Sequence, residues 1–457
     1  MNRFVRLTYF IWLAILVLAE FAIAAGPVVL GLRGDEAALN AYSKSKGRAI
    51  VASETVDFES GNTFVRIQDR LAYQNVEILL PAELTPNQLM EALIKIRTAK
   101  TEGAASITLV SPQEVPPRMV GSDSTTTVDL PKLFGLSGAT GPKDWIKSST
   151  KLRQARATVS PGLLYTRTHP VLTQELGQFT GLKSVEGLAQ LKAQATQRKA
   201  PVYYVLSANG AGSNEQLLIA LSEIQELSSA GVQVHLVTPY LPYARSDKID
   251  QAGVTVIGRL VADLIEGSGT KAITFMRAHA TQSQGFFSIP STQLSGRPTL
   301  TRYLKSLGVQ IVVAPDAGFQ KDATLYADEM DLPLAIVNKF RDPLTSQTAM
   351  KGISGDSVAG KIAVVIDDET ASGGTLGKVA KLLKEQGAKA VFASVTHLTG
   401  TARAAVESPD LAEVIVTNTL ALPEGSRFKT LSIASELGEH LLQLEQARGC
   451  ASALLPD

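Results

Sequence analysis

Residues 361–376 read KIAVVIDDETASGGTL. Five consecutive apolar residues, 362–366, have the pattern of a central parallel strand buried on both faces. Asp367 and Asp368 close this strand. Ser372, Gly373, Gly374 and Thr375 follow, and then the helical pattern LGKVAKLLKEQGAKAVFASV. Glycines allow backbone N–H groups to approach a phosphate, and a helix N-terminus adds unpaired donors and a partial positive charge. The two hydroxyls supply further hydrogen bonds. The acidic pair lies beside that phosphate, where it suits sugar hydroxyls or a hydrated metal ion. The competing reading is an ordinary strand-to-helix turn with a capping hydroxyl. The complete string, in this order, favours the ligand.

The chain of 457 residues has room for two or three domains, and 45% hydrophobic with 19% charged residues describes a globular protein. A net charge of +1 implies no polyanionic partner, so no nucleic acid is expected. The single cysteine, Cys450, excludes an intrachain disulfide framework and a cysteine-based zinc site. At the start, Arg3 and Arg6 precede an apolar run, and Ala22-Ile23-Ala24 closes it. This is a signal-peptide pattern over residues 1–25, and it places the mature chain in the periplasm or outside the cell. A membrane anchor is the alternative, although Glu20 is costly inside a span. Cytoplasmic residence follows if the start is misassigned.

Between 27 and 112 the pattern is α/β. Strands are expected at 28–32, 63–67, 76–80 and 106–110, and helices at 36–45, with Asp35 as N-cap, and 87–101. The same order recurs: strands at 163–165, 202–206 and 232–237, helices at 170–176 and 214–229. Residues 87–112 align without gaps with 214–239, where ITLVSP faces VHLVTP. This reads as an internal duplication. Residues 115–160 are rich in Pro, Gly, Ser and Thr and read as a linker. Strands at 309–313, 334–337, 362–366, 390–395 and 414–417 then alternate with helices, and a last helix is expected at 434–447. The expected organisation is a leader at 1–25, a degenerate first copy at 26–114, a linker at 115–160, and domains at 161–299 and 300–457. The fold class is α/β, with mostly parallel sheets covered by helices on both faces.

Six stretches, in this order, carry a specific resemblance: TPYLPYARSDK (238–248), HATQSQGFFSIP (279–290), APDAG (314–318), NKFR (338–341), GDSVAG (355–360) and the 361–376 string. The last resembles the phosphoribosyl-pyrophosphate loop of the type I phosphoribosyltransferase fold. Together they resemble the ribose-phosphate pyrophosphokinases from about residue 161 onward, which implies tandem phosphoribosyltransferase-like domains. The resemblance implies that Arg245 and Asp247 serve ATP, and that His279 and Asp316 are ligands of Mg2+. It also implies that Lys339 and Arg341 are the catalytic cations, with 342–350 as a lid. Asp367, Asp368, Ser372, Gly373, Gly374 and Thr375 would hold ribose 5-phosphate. Cations suit such a step, because phosphoryl transfer spreads negative charge over several oxygens.

The sequence departs from the family at several points. The family has Asp where Arg277 stands, which sets a positive charge beside the expected metal. Ala371 replaces a loop acid. Phe58-Glu59-Ser60-Gly61-Asn62 keeps only the turn glycine of the family's adenine-contacting hairpin. The leading expectation is therefore weakened transfer of pyrophosphate from ATP to ribose 5-phosphate, giving phosphoribosyl pyrophosphate and AMP. The alternative is a non-catalytic sugar-phosphate or nucleotide binder acting as sensor or partner subunit, which suits an exported protein. A phosphoribosyltransferase is the third reading; it has no use for the 338–341 or 243–247 stretches. Homo-oligomerisation and membrane anchoring by residues 1–25 stay open.

Overall fold

The computed structural model describes residues 27–454, apart from 59, 69–70, 72–73, 82, 103, 105, 112–117, 121–126, 130–159, 209, 250, 342–347, 402 and 423–426. The leader at 1–25, most of the linker and most of the lid lie outside the described residues. Among the described residues, no helix is long and apolar enough to cross a membrane. The chain divides into two compact units. One is Met1–Phe58 with Thr63–Lys147 and Ser246–Val261; the other is Glu59–Asn62 with Ser148–Arg245 and Ala262–Asp457.

In the first unit, β1 (Val28–Leu30), α1 (Glu36–Lys46) and β2 (Ala49–Ile50) precede a hairpin of β3 (Ser53–Asp57) and β4 (Thr63–Ile67). Then come β5 (Asn75–Leu79), β6 (Glu83–Leu84), α2 (Pro86–Thr101) and β7 (Ser106–Val110). The main sheet has the order β2-β1-β5-β7 and is parallel throughout. Two strands fall within the stretch expected to be a linker, β8 (Arg118–Val120) and β9 (Thr127–Asp129), and they join β6. Asp35 precedes α1 but makes no side-chain capping bond. The Glu36 carboxylate instead accepts from the Gly34 N–H at 3.1 Å. Helix α2 starts with a capping box between Thr85 and Gln88 and buries Leu89, Met90, Leu93 and Ile94.

The same helix buries a charge pair. Lys95 Nζ lies 2.6 Å from Glu91 Oε1, and it also donates to the Gly31 carbonyl at 2.6 Å. Burial lowers the Lys95 pKa, but two acceptors hold the ammonium in place.

The second unit contains two sheets. The first comprises β10 (Leu163–Thr166), β11 (Lys183–Ser184), β12 (Val202–Val205), β13 (Val234–Val237), β14 (Ala272–Met276) and β15 (Ser291–Leu294), in the order β11-β10-β12-β13-β14-β15 and all parallel. Helices α3 (Pro170–Thr180), α4 (Leu188–Arg198), α5 (Ser213–Ser229) and α6 (Ile257–Gly267) lie between these strands in the chain. The order β2-β1-β5-β7 of the first unit thus recurs here as β11-β10-β12-β13.

After α7 (Arg297–Ser306) the chain builds the other sheet. Its elements are β16 (Ile311–Ala314), α8 (Gln320–Met330), β17 (Leu334–Arg341), β18 (Thr348–Gly355), β19 (Ile362–Thr370), α9 (Gly374–Glu385), β20 (Ala390–Leu398), β21 (Glu413–Thr417) and β22 (Lys429–Leu431). The order is β18-β17-β16-β19-β20-β21-β22, with only β17 and β18 antiparallel. Strand alternation splits the apolar runs between two faces. Val313, Ala363 and Val365 face α9 residues Leu376, Val379 and Leu383, while Val312, Val364 and Ile366 pack with Leu300, Leu304 and Tyr326 of α7 and α8. Covered faces are what the uninterrupted run at 362–366 requires.

The last helix, α10 (Ala434–Leu454), does not pack on the sheet that precedes it. Its Leu437 and Leu441 join Leu164, Tyr203 and Val237 of the six-stranded sheet and Leu176 of α3. Glu445 accepts from the Tyr203 hydroxyl at 2.7 Å and from the Gly162 N–H at 3.0 Å.

Replacing Lys95 alone by Met should cost about 3 kcal/mol, because it leaves the buried Glu91 carboxylate with longer contacts, among them the Thr55 hydroxyl at 3.0 Å and Arg33 Nε at 3.5 Å. Replacing Glu91 by Leu together with Lys95 by Met should recover most of that loss. Denaturant unfolding of the two variants checks this, and an unchanged midpoint for the single variant would refute it.

Candidate active site

The seven-stranded sheet reverses its winding between β16 and β19. From β16 the chain moves outward to β17 on one side, then returns to lay β19 on the other. In open α/β sheets the crevice beyond the strand ends at such a point receives the ligand. Asp316 follows β16, and Asp367 and Asp368 lie in β19, so the sheet brings the expected acids to this crevice.

Strand β19 does not stop at the acidic pair. It continues through Asp367, Asp368, Glu369 and Thr370, with Glu369 opposite His397 and Thr370 opposite Leu398 of β20. Asp368 and Glu369 are 4% and 5% exposed. Carboxylates so buried need partners, and loops after the other sheet provide them. His279, beyond β14, brings Nδ1 to 2.7 Å from Asp368 Oδ2. Arg245, beyond β13, brings Nε to 3.3 Å from Glu369 Oε2. Glu369 also accepts from the Thr399 hydroxyl at 3.0 Å and the Tyr240 hydroxyl at 3.4 Å.

These contacts separate the acids electrostatically. The hydrogen bond to Asp368 raises the His279 pKa. Burial opposes ionisation of Asp368, but the bond and charge of His279, the Asp367 bond and the Arg245 charge together outweigh it and keep that carboxyl below its ordinary range. Asp367 has no such cation. Burial, and next the charge of Asp368, push it well above the usual carboxylate range. Burial likewise raises Glu369. Sequence reasoning missed Glu369, Tyr240 and Thr399. The available signal was a third acid in register with a strand that had no turn residue to end it.

The phosphate cradle follows. Gly373 has φ 75°, the left-handed region, and is the N-cap of α9. It has no side chain to cap the first amides, which leaves them for a ligand. The Ser372 hydroxyl accepts from the Gly374 N–H at 3.4 Å. Across the loop, a Cβ on Gly400 would stand 2.7 Å from the Ala371 carbonyl oxygen. The Thr399 N–H donates to the Thr370 carbonyl at 2.9 Å. Thr399 and Gly400 therefore hold the near side of the loop by backbone contact.

Other expected residues are placed differently. Lys339 and Arg341 lie within β17 rather than in a loop after it, opposite Met350 and Thr348 of β18, with a bulge between Asn338 and Lys339. Such bulges re-aim a strand beside functional sites. Asp247 belongs to the first unit, whereas Arg245 belongs to the second. Arg277 is not a free charge beside His279: its Nη2 pairs with Asp322 Oδ2 at 2.6 Å. Asp316 Oδ1 accepts from the Phe319 N–H at 3.2 Å, and its charge is felt by Asp367. Among the described residues no three His, Cys, Asp or Glu side chains form a ready metal cage. Magnesium held chiefly by substrate phosphates needs only one or two carboxylates, and Asp316 beside Asp367 provides that set. The bond to Asp368 engages only Nδ1 of His279, so Nε2 would be the ring nitrogen for a metal.

Two measurements test this geometry. His279 should titrate above its ordinary value of 6.5. A raised folded-state pKa contributes stability below the unfolded value, about pH 6.5, and that contribution is lost as pH rises through the folded value. NMR titration should show the His279 value falling in Asp368→Asn; no change would refute the pair. Separately, Gly400→Ala should displace Ala371 and weaken phosphate-ligand binding by roughly tenfold or more, about 1.4 kcal/mol, while the melting temperature shifts little. Binding that survives unchanged would show that the close approach is incidental.

Comparisons with known proteins identify the family. Residues 163–269 match the family model for the N-terminal domain of ribose phosphate pyrophosphokinase, and residues 340–448 match the phosphoribosyl synthetase-associated domain. Ribose-phosphate pyrophosphokinase 2 of Schizosaccharomyces pombe is 33% identical over 292 residues, which cover 60% of this chain and 90% of that protein. The Bacillus caldolyticus enzyme is 36% identical over 259 residues, covering 56% and 81%. The crystal structure of phosphoribosylpyrophosphate synthetase from Mycobacterium smegmatis superposes with a TM-score of 0.55 at 27% identity, over 63% of this chain and 99% of that one. From its buried acid strand, its phosphate loop and these likenesses, the chain belongs to the ribose-phosphate pyrophosphokinase family.

Proposed function

We propose that this protein binds ribose 5-phosphate at the β19–α9 loop and Mg-ATP beside it, and that it transfers pyrophosphate slowly between them. The anomeric hydroxyl oxygen would attack the β-phosphorus of ATP, the bond from that phosphorus to the oxygen bridging it to the α-phosphorus would break, and AMP would leave with that oxygen while the hydroxyl proton passes to solvent. The observation that carries the reading is the buried acid strand running into an uncapped helix N-terminus at the switch point. Asp367 and Asp368 would take the ribose hydroxyls. The first amides of α9, with Ser372 and Thr375, would take the 5-phosphate. Arg245 would face the ATP phosphates, and Lys339 and Arg341 the transferring group. Magnesium, when bound through the phosphates, would neutralise developing charge, with Asp316 nearby.

The slow rate rests on Ala371, which supplies no loop acid. Arg277 drops out of this argument because Asp322 neutralises it. The missing loop acid also favours the second reading, a binder of ribose 5-phosphate without turnover. The recurring strand order supports reading residues 26–114 as a degenerate copy, and residues 1–25 keep their reading as an export signal.

Calorimetry of the purified protein with ribose 5-phosphate, and separately with Mg-ATP, tests the proposal. Gly374→Val is the informative variant. A Cβ there meets nothing closer than Ser372 Oγ at 3.6 Å, so the fold should tolerate it while the phosphate loses its approach. Ribose 5-phosphate binding should disappear with the melting temperature unchanged. If AMP is released, Lys339→Ala should abolish release and keep ribose 5-phosphate affinity. Binding that survives in Gly374→Val sinks the cradle.

A further inference from the structure

We infer that Arg277 is a positioning residue, braced by Asp322, that sets His279 against the acid strand. Three contacts carry the inference. The Arg277 guanidinium reaches Asp322 on α8 at 2.6 Å, and both side chains are only about one-fifth exposed, at 23% and 20%. The Arg277 main-chain carbonyl lies 2.6 Å from His397 Nε2 on β20. Two residues on, His279 meets Asp368 on β19.

The tautomer of His397 follows from its surroundings. The ring is buried, and that burial lowers its pKa to about 4, so it is neutral. A carbonyl can only accept, so Nε2 carries the proton and donates to Arg277. Nδ1 then accepts from the Thr419 hydroxyl at 2.9 Å. Tyr240 stacks edge-on against the same ring at 5.2 Å. The backbone at Arg277 is thus held from β20 and its side chain from α8, immediately before the residue that pairs with Asp368.

Charge gives the brace a second role. Arg277, Asp322 and Asp368 line one cavity of about 150 Å³, together with Arg297 and Thr396. A guanidinium free in that space would compete with His279 for Asp368. Asp322 pairs with it instead at 2.6 Å, and Arg297 is likewise paired with Glu329 at 2.6 Å. The geometry therefore keeps the acid strand answering to His279 and Arg245, although a stronger cation stands two residues from His279.

The consequence for ligand binding rests on the ribose 5-phosphate reading above; the brace itself does not. The test uses the full chain and four variants: Arg277→Gln, Asp322→Asn, Arg277→Lys, and the exchange Arg277→Asp with Asp322→Arg. Both neutralising variants should lower ribose 5-phosphate affinity roughly tenfold, as coupled contacting groups do. Arg277→Lys should retain most of the affinity, and the exchange should restore it. Unchanged or tighter binding in Arg277→Gln would overturn the proposal, because it would mark Arg277 as an intruding charge. An exchange no better than either single variant would overturn it too. If the unaltered protein binds no ribose 5-phosphate, the functional reading fails separately, and melting temperatures decide the brace. Recovery in the exchange supports it; losses that merely add refute it.

Discussion

Three consecutive carboxylates in one strand impose the main constraint on this structure. Asp367, Asp368 and Glu369 leave water at the end of β19, and each unbalanced charge there is costly. Among the described side chains, two cations reach them from loops of the other sheet, and two hydroxyls add to the balance. The two sheets of the second unit are therefore joined by charge as well as by apolar packing. A ligand bringing hydroxyls or metal-bound phosphate meets a set of acceptors that is already oriented.

The parts of the fold governed by local pattern were legible in the chain. The run 362–366 announced a strand covered on both faces, and the alternation of Val312 with Val313 and of Val364 with Val365 assigned residues to each face. The cradle was legible because Ser372-Gly373-Gly374-Thr375 meets a helix start directly. Contacts between distant segments were not. Glu369 looks like a loop acid until Arg245, 124 residues earlier, is placed beside it. Arg277 looks like a charge facing a metal until Asp322, 45 residues later, turns it aside. No periodicity encodes either meeting, since each depends on which strand ends lie next to one another.

Departures from the family pattern also acquire a physical sense. An isolated substitution of acid by base near a phosphate site reads as damage. Here the base has a partner in reach, a backbone role through His397, and a cavity wall to lie against. Ala371 has no comparable compensation in the loop.

Helix α10 carries a consequence for how the protein is made. Its apolar face completes the six-stranded sheet, whose strands end at Leu294, yet the seven-stranded sheet is encoded in between. During synthesis the face of the earlier sheet that α3 covers only in part must wait until residues 434–441 have left the ribosome. The later sheet has its own covering helices from α7 to α9 and needs no such delay. Order of emergence and order of completion are therefore reversed. A nascent chain whose emerged part ends just after β22, at Leu431, would hold a complete seven-stranded sheet beside a partly open apolar surface, the form on which a chaperone would act.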